Sequence, residues 1–162
     1  MMTNFENITP SEFDSLKNAL LQITVLIAGA DGRIDASETD WAEKLTEIRG
    51  YAHKEDLREF YDEVHIDFQA RLQQLIAELP ADVETRNTQI SVTLSALNPI
   101  LAKLDNKIGF ELYTSLVSFA KHIAQSSGGI MRFMSISKAE EEWISLPMLT
   151  PIVLEEEEES AE

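Results

Sequence analysis

The chain has 162 residues, 44% of them hydrophobic, with 29 Asp or Glu against 13 Lys or Arg and a net charge of −16. This length fits one globular domain able to bury its own core. The absence of cysteine excludes disulfides, thiol catalysis, Cys-ligated zinc and iron–sulfur clusters, and so acidic a surface repels phosphate, excluding nucleic acid and anionic membranes as partners.

Met1 to Pro10 contain Glu6 and no basic residue, unlike a signal peptide. The longest apolar stretch, Ile23 to Ala30, is far too short to span a bilayer. A cytoplasmic protein without a membrane span is expected, associating with membranes peripherally through partners if at all. Residues 1–8 form an N-terminal extension, 9–154 a single domain and 155–162 an acidic tail. Glu155 to Glu159 and Glu162 make up that tail's charge. Such a run repels itself and is expected to be solvated and disordered.

The domain reads as helix throughout. Thr9-Pro10-Ser11-Glu12 combines a cap, a first-turn proline and a capping-box glutamate. Phe13, Leu16, Leu20, Ile23 and Ile27 follow as one stripe, which predicts a helix stopping near Asp31-Gly32. A second helix is predicted from Asp35, with Glu38 as its capping-box partner, to a stop at Gly50. A third covers 55–79, with Leu57, Tyr61, Val64, Phe68, Leu72, Leu75 and Leu79 on one face before Pro80. The fourth starts near Asp82 and is kinked or broken at Pro99, and the fifth runs from Ile108 to Ala124. A short sixth starts at Ser137, capped with Glu140. No stretch alternates as a strand does, so the expected fold is all-α, a compact bundle of about six to seven helices.

Two segments align at a shift of 96 positions: Leu16 with Leu112, Leu20 with Leu116, Ile27-Ala28 with Ile123-Ala124, Gly32 with Gly128 and Ile34 with Ile130. Glu38-x-x-Trp41 then matches Glu140-x-x-Trp143 across a longer second loop. Two related halves, about 9–80 and 81–154, are expected, with Trp41 and Trp143 in the core. The second copy has Ser127 where the first has Asp31, so a functional site is sought in the first.

Asp31, Asp35 and Glu38 place three carboxylates across a tight glycine turn. Hard cations such as Ca²⁺ or Mg²⁺ need such oxygen donors. The spacing matches the second half of an EF-hand loop, but Ile27 and Gly29 stand where its first ligands belong. The same residues also suit a plain turn and a helix cap.

The run from Ile27 to Glu38, Ile-Ala-x-Ala-Asp-Gly-x-Ile-Asp-x-x-Glu, resembles the signature of the tellurite-resistance TerB-like family. The resemblance implies an all-α domain of two similar halves and a non-enzymatic stress-response protein with an acidic metal site, often linked to calcium. Carried onto this chain it implies Asp31, Asp35 and Glu38 as ligands, with Asp40 as a further candidate. Glu140 is the candidate from the second half, should the halves pack face to face.

An enzyme is not expected, since no nucleophile motif or complete metal-binding His–carboxylate set is present. Asp62-x-x-His65 is half of a di-iron motif without its second copy. The alternative to a cation-binding stress or scaffold protein is an interaction module. In it the Asp-Gly turns are structural, and the acidic tail and the Met131–Met134 loop bind a protein partner.

Overall fold

A computed structural model of the chain describes residues 3–30, 34, 36–52, 55–126 and 141–155. These residues are helical and contain no strand. After a 3-10 turn at Thr3–Phe5 come α1 (Pro10–Ala28), α2 (Ala36–Ala52), α3 (Glu55–His65) and α4 (Phe68–Glu78). They are followed by α5 (Val83–Ser95), α6 (Asn98–Lys103) and α7 (Asn106–Ser126).

The start of α1 follows from its sequence. The Thr9 side chain accepts from the Glu12 amide at 3.1 Å, and the Glu12 carboxylate accepts from the Thr9 amide at 2.9 Å. From Ile23 to Ala28 every residue is buried, which marks α1 as the central helix rather than an amphipathic surface one. The hydroxyl of Thr24 is satisfied within the helix, donating to the Leu20 carbonyl at 2.7 Å. Helices α2, α3, α4, α5 and α7 all pack on α1, and α2 packs most extensively on α3.

The end of α1 differs from expectation. The helix stops at Ala28 with Gly29 as its cap, so Gly29 takes the role expected of Asp31-Gly32. A Cβ on Gly29 would stand 2.7 Å from the Arg86 guanidinium and 2.9 Å from the Val25 carbonyl. Glycine is needed there for close approach. Gly50 likewise does not stop α2, which runs on to Ala52; a Cβ at Gly50 would meet the Asp62 carboxylate, so the residue lets α2 and α3 come together.

The helix expected over 55–79 is two helices. Its apolar stripe stays in phase across the break, which is why periodicity does not reveal it. The chain turns at Asp67, which has φ 55°, and leaves Ile66 exposed. The fourth expected helix also divides, into α5 and α6, with Pro99 in the first turn of α6. The sixth helix, expected from Ser137, lies almost wholly outside the described residues.

Residues before 9 are more than an extension. Phe5 and Ile8 are buried, and Phe5, Phe13, Phe60 and Tyr61 form an aromatic cluster with ring centroids 5.1–5.8 Å apart. The two segments that align at a shift of 96 positions lie in α1 and α7, which pack together. The paired turns and Glu140 fall outside the described residues, and the fold as described does not show two equivalent halves. Residues 156–162 of the acidic tail also lie outside them. Among the described residues no helix is long and apolar enough to cross a membrane.

Candidate functional site

Of the five acids singled out in the sequence, Asp31, Asp35 and Glu140 lie outside the described residues. Glu38 and Asp40 are both on α2, but the structure separates them. Glu38 is buried, 2% exposed, whereas Asp40 is exposed. Residues two apart on a helix face different sides. Among the described residues no group of three or more His, Asp or Glu is placed to hold a metal ion.

Glu38 owes its burial to its place on the inward stripe of α2, Glu38-Ala42-Leu45-Arg49, where all four residues are buried. A carboxylate in the first turn of a helix also lies at the positive end of the helix dipole. The opposite end of α1 is met by a cation. Arg86 of α5, 6% exposed, donates from Nη2 to the Gly29 carbonyl at 2.7 Å. Its Nε has no hydrogen-bond partner among the described residues. A buried guanidinium therefore sits on the carbonyl of Gly29, two residues before Asp31 in sequence.

Sequence reasoning missed the most connected polar group of the interior, Arg49. Its Nη1 donates to the Ser115 hydroxyl at 2.7 Å, the Ser115 carbonyl at 2.8 Å and the Tyr61 hydroxyl at 3.1 Å. Its Nη2 donates to the Ser118 hydroxyl at 3.1 Å and His122 Nδ1 at 3.3 Å. The guanidinium also lies 5.4 Å from the Tyr61 ring centroid and 5.6 Å from that of Phe119. Among the described residues no Asp or Glu forms an ion pair with Arg49 or Arg86, in a chain with 29 acids. The signal was present: each arginine sits where an apolar residue continues the stripe, Arg49 after Leu45 and Arg86 before Ile90.

Because a guanidinium only donates, His122 Nδ1 must accept and the ring proton sits on Nε2. Burial, then the charges of Arg49 and Lys121, hold the imidazole below its ordinary pKa and so neutral. His122 opens onto a groove of about 430 Å³ between the start of α2 and the end of α7, lined also by Ser37, Trp41, Gln125 and Ser126. Trp41, expected in the core, is 36% exposed there, whereas Trp143 is half-buried against the core. His65 is half-buried with Nδ1 2.9 Å from the Thr46 hydroxyl, a structural contact.

No protein-family model, curated protein or solved structure matches the chain. The resemblance to TerB-like domains thus rests on residues 27–38.

Proposed function

We propose that this chain is a non-catalytic binding protein that holds a divalent cation, Ca²⁺ or Mg²⁺, at the connection between α1 and α2 through Asp31, Asp35 and Glu38. The observation that carries the reading is Glu38, a carboxylate 98% buried just after the acidic turn. A carboxylate held by packing in the first turn of α2 is a pre-ordered oxygen donor of the kind hard cations take. Asp40 points away from Glu38 and contributes at most long-range attraction. Glu140 joins only if the second half folds back onto the turn. A stress-response or scaffold role follows from the TerB-like resemblance alone.

Arg86 favours a second reading. Its guanidinium on the Gly29 carbonyl already supplies positive charge near the turn, which weakens attraction for a further cation. On that reading the acids are caps and internal counterions, and the chain is a protein-interaction module.

Tb³⁺ luminescence separates the two. Trp41 lies one helical turn beyond Glu38 and should sensitise bound Tb³⁺, with excess Ca²⁺ competing the signal away. The paired change Asp31→Asn with Glu38→Gln should abolish it while circular dichroism stays helical. No luminescence, or a signal indifferent to that pair, leaves the interaction module standing. Calorimetry with Ca²⁺, Mg²⁺ and Mn²⁺ then identifies the ion.

A further inference from the structure

The last described stretch of the chain, 150–155, carries neither helix nor strand, and two asparagines grip its backbone in the same way. Asn98, the first residue of α6, donates to the Met148 carbonyl at 3.0 Å and accepts from the Thr150 amide at 2.8 Å. Asn106, the first residue of α7, donates to the Val153 carbonyl at 3.1 Å and accepts from the Glu155 amide at 2.8 Å. Each carboxamide spans the C=O of one residue and the N–H of the second residue after it. The pattern repeats five residues along the strap. These four bonds read main chain, not side chains.

Side-chain anchoring is uneven. Leu149 is buried, and among the described residues beyond it only Ile152 packs on the core, beside Gly109, where a Cβ would lie 3.6 Å from Ile152 Cδ1. Val153 and Leu154 are 75% and 46% exposed. The segment after Leu149 is therefore held by three of these main-chain bonds, at Thr150, Val153 and Glu155, and by one half-buried aliphatic side chain. Each such bond has a small net worth because water replaces it, so local opening of this strap costs far less than unfolding.

We propose that the Asn98–Asn106 face of α6 and α7 is a binding groove for an extended peptide. In this structure it is filled by the chain's own residues 150–155. Its ligand is a partner protein's segment of the strap's chemistry, an aliphatic residue at the Ile152 place followed by acids. Main-chain hydrogen bonds supply affinity and the apolar contact made by Ile152 beside Gly109 supplies selection, as in other sites that read extended peptides. Lys103 and Lys107 flank the two asparagines with exposed side chains that pair with Glu12 and Asp56, so the acids of a bound peptide compete with those two carboxylates for the lysines. The strap is then an internal competitor that a partner must displace.

The test uses a chain ending at Leu149 and a labelled acetyl peptide of residues 150–162, followed by fluorescence anisotropy. The truncated chain, helical by circular dichroism, should bind the peptide, and the full chain should bind it at least about tenfold more weakly. Asn106→Ala in the truncated chain should weaken binding about tenfold to a hundredfold, the loss expected for two hydrogen bonds. Replacing Ile152 by Asp in the peptide should do the same. A folded truncated chain that ignores the peptide, or binds it equally with Asn106→Ala, overturns the proposal. Should the truncated chain not fold, hydrogen exchange on the full chain decides. Amides of 150–155 that open independently of α7 support a displaceable strap, and amides that exchange only with α7 overturn it. A full chain that dimerises by exchanging straps, seen by light scattering, assigns the groove to a second copy and overturns the partner reading.

Discussion

Arg49 and Ser115 bind one another twice: the guanidinium donates to the hydroxyl at 2.7 Å and to the backbone carbonyl at 2.8 Å. The second bond reaches a carbonyl of the buried helix α7, so α2 is tied to the backbone of its neighbour as well as to a side chain. Neutral oxygens and two aromatic faces together solvate a charge with which no Asp or Glu among the described residues forms an ion pair.

The forked geometry of that contact makes lysine a poor substitute, because an ammonium cannot serve Tyr61, Ser115 and Ser118 together. Arg49→Lys and Arg49→Met are both expected to lower unfolding free energy by about 2–4 kcal/mol, in keeping with hydrogen bonds to a charged group and their loss in a buried site. Urea denaturation followed by circular dichroism measures it. A loss well under 1 kcal/mol for both variants would contradict the network's structural role.

Gly29→Ala is expected to cost about 1–3 kcal/mol, the usual range for forcing atoms into a packed site. The new Cβ meets both a backbone carbonyl, which cannot move away, and the Arg86 guanidinium. Thermal unfolding reads the effect. The same substitution at Gly50 should be far milder, because there the obstructing atoms belong to the exposed side chain of Asp62, which can swing into solvent.

His122 makes stability depend on pH with a defined sign. Its folded-state pKa lies below the ordinary 6.5, so the unfolded chain takes up the proton more readily and stability rises with pH. The loss begins as pH falls past about 6.5 and levels off below the lowered folded value. Urea midpoints at pH 5 to 8 should slope less in His122→Asn than in the natural chain. Equal slopes would mean that neither burial nor the Arg49 and Lys121 charges act on the ring.

Thr9→Ala removes the cap of the central helix and is expected to cost about 1 kcal/mol. Glu12 shares that cap, and its pKa is depressed chiefly by the hydrogen bond from Lys103 and then by the Thr9 amide. A lowered carboxylate pKa adds stability above its unfolded value and loses it as pH falls through the folded one. The gap between natural and Glu12→Gln proteins should therefore close in acid.

The fold was legible wherever local chemistry decides it. The Thr9–Glu12 box, the Asp82 cap, which accepts from the Thr85 amide at 2.9 Å, and the length of α7 can all be read from neighbouring residues. The break at Asp67 could not be, because the apolar stripe keeps its phase while the chain bends around α1. Gly50 was misjudged, and Gly29 was passed over as the stop of α1, for a related reason. A glycine that ends a helix and one that admits a neighbour look alike until the neighbour, Arg86 or Asp62, is in place. At the candidate site the motif pointed to Glu38 without predicting its burial, and Trp41 was expected inside where it lines a groove. Asn98 and Asn106 gave no signal, since their partners lie about fifty residues away in sequence.

Helix α7 also acts as a spacer between the two acidic regions. Asn106 holds Glu155 at its first residue, and the groove shared with Ser37 and Trp41 lies at its last turns. Twenty-one residues of helix extend about 30 Å, some three to four times the Debye length of about 8 Å in physiological salt. Charge at Glu155 is thus screened from charge placed on the exposed groove residues at the far end of α7. The two ends of that helix can be edited or modified one at a time.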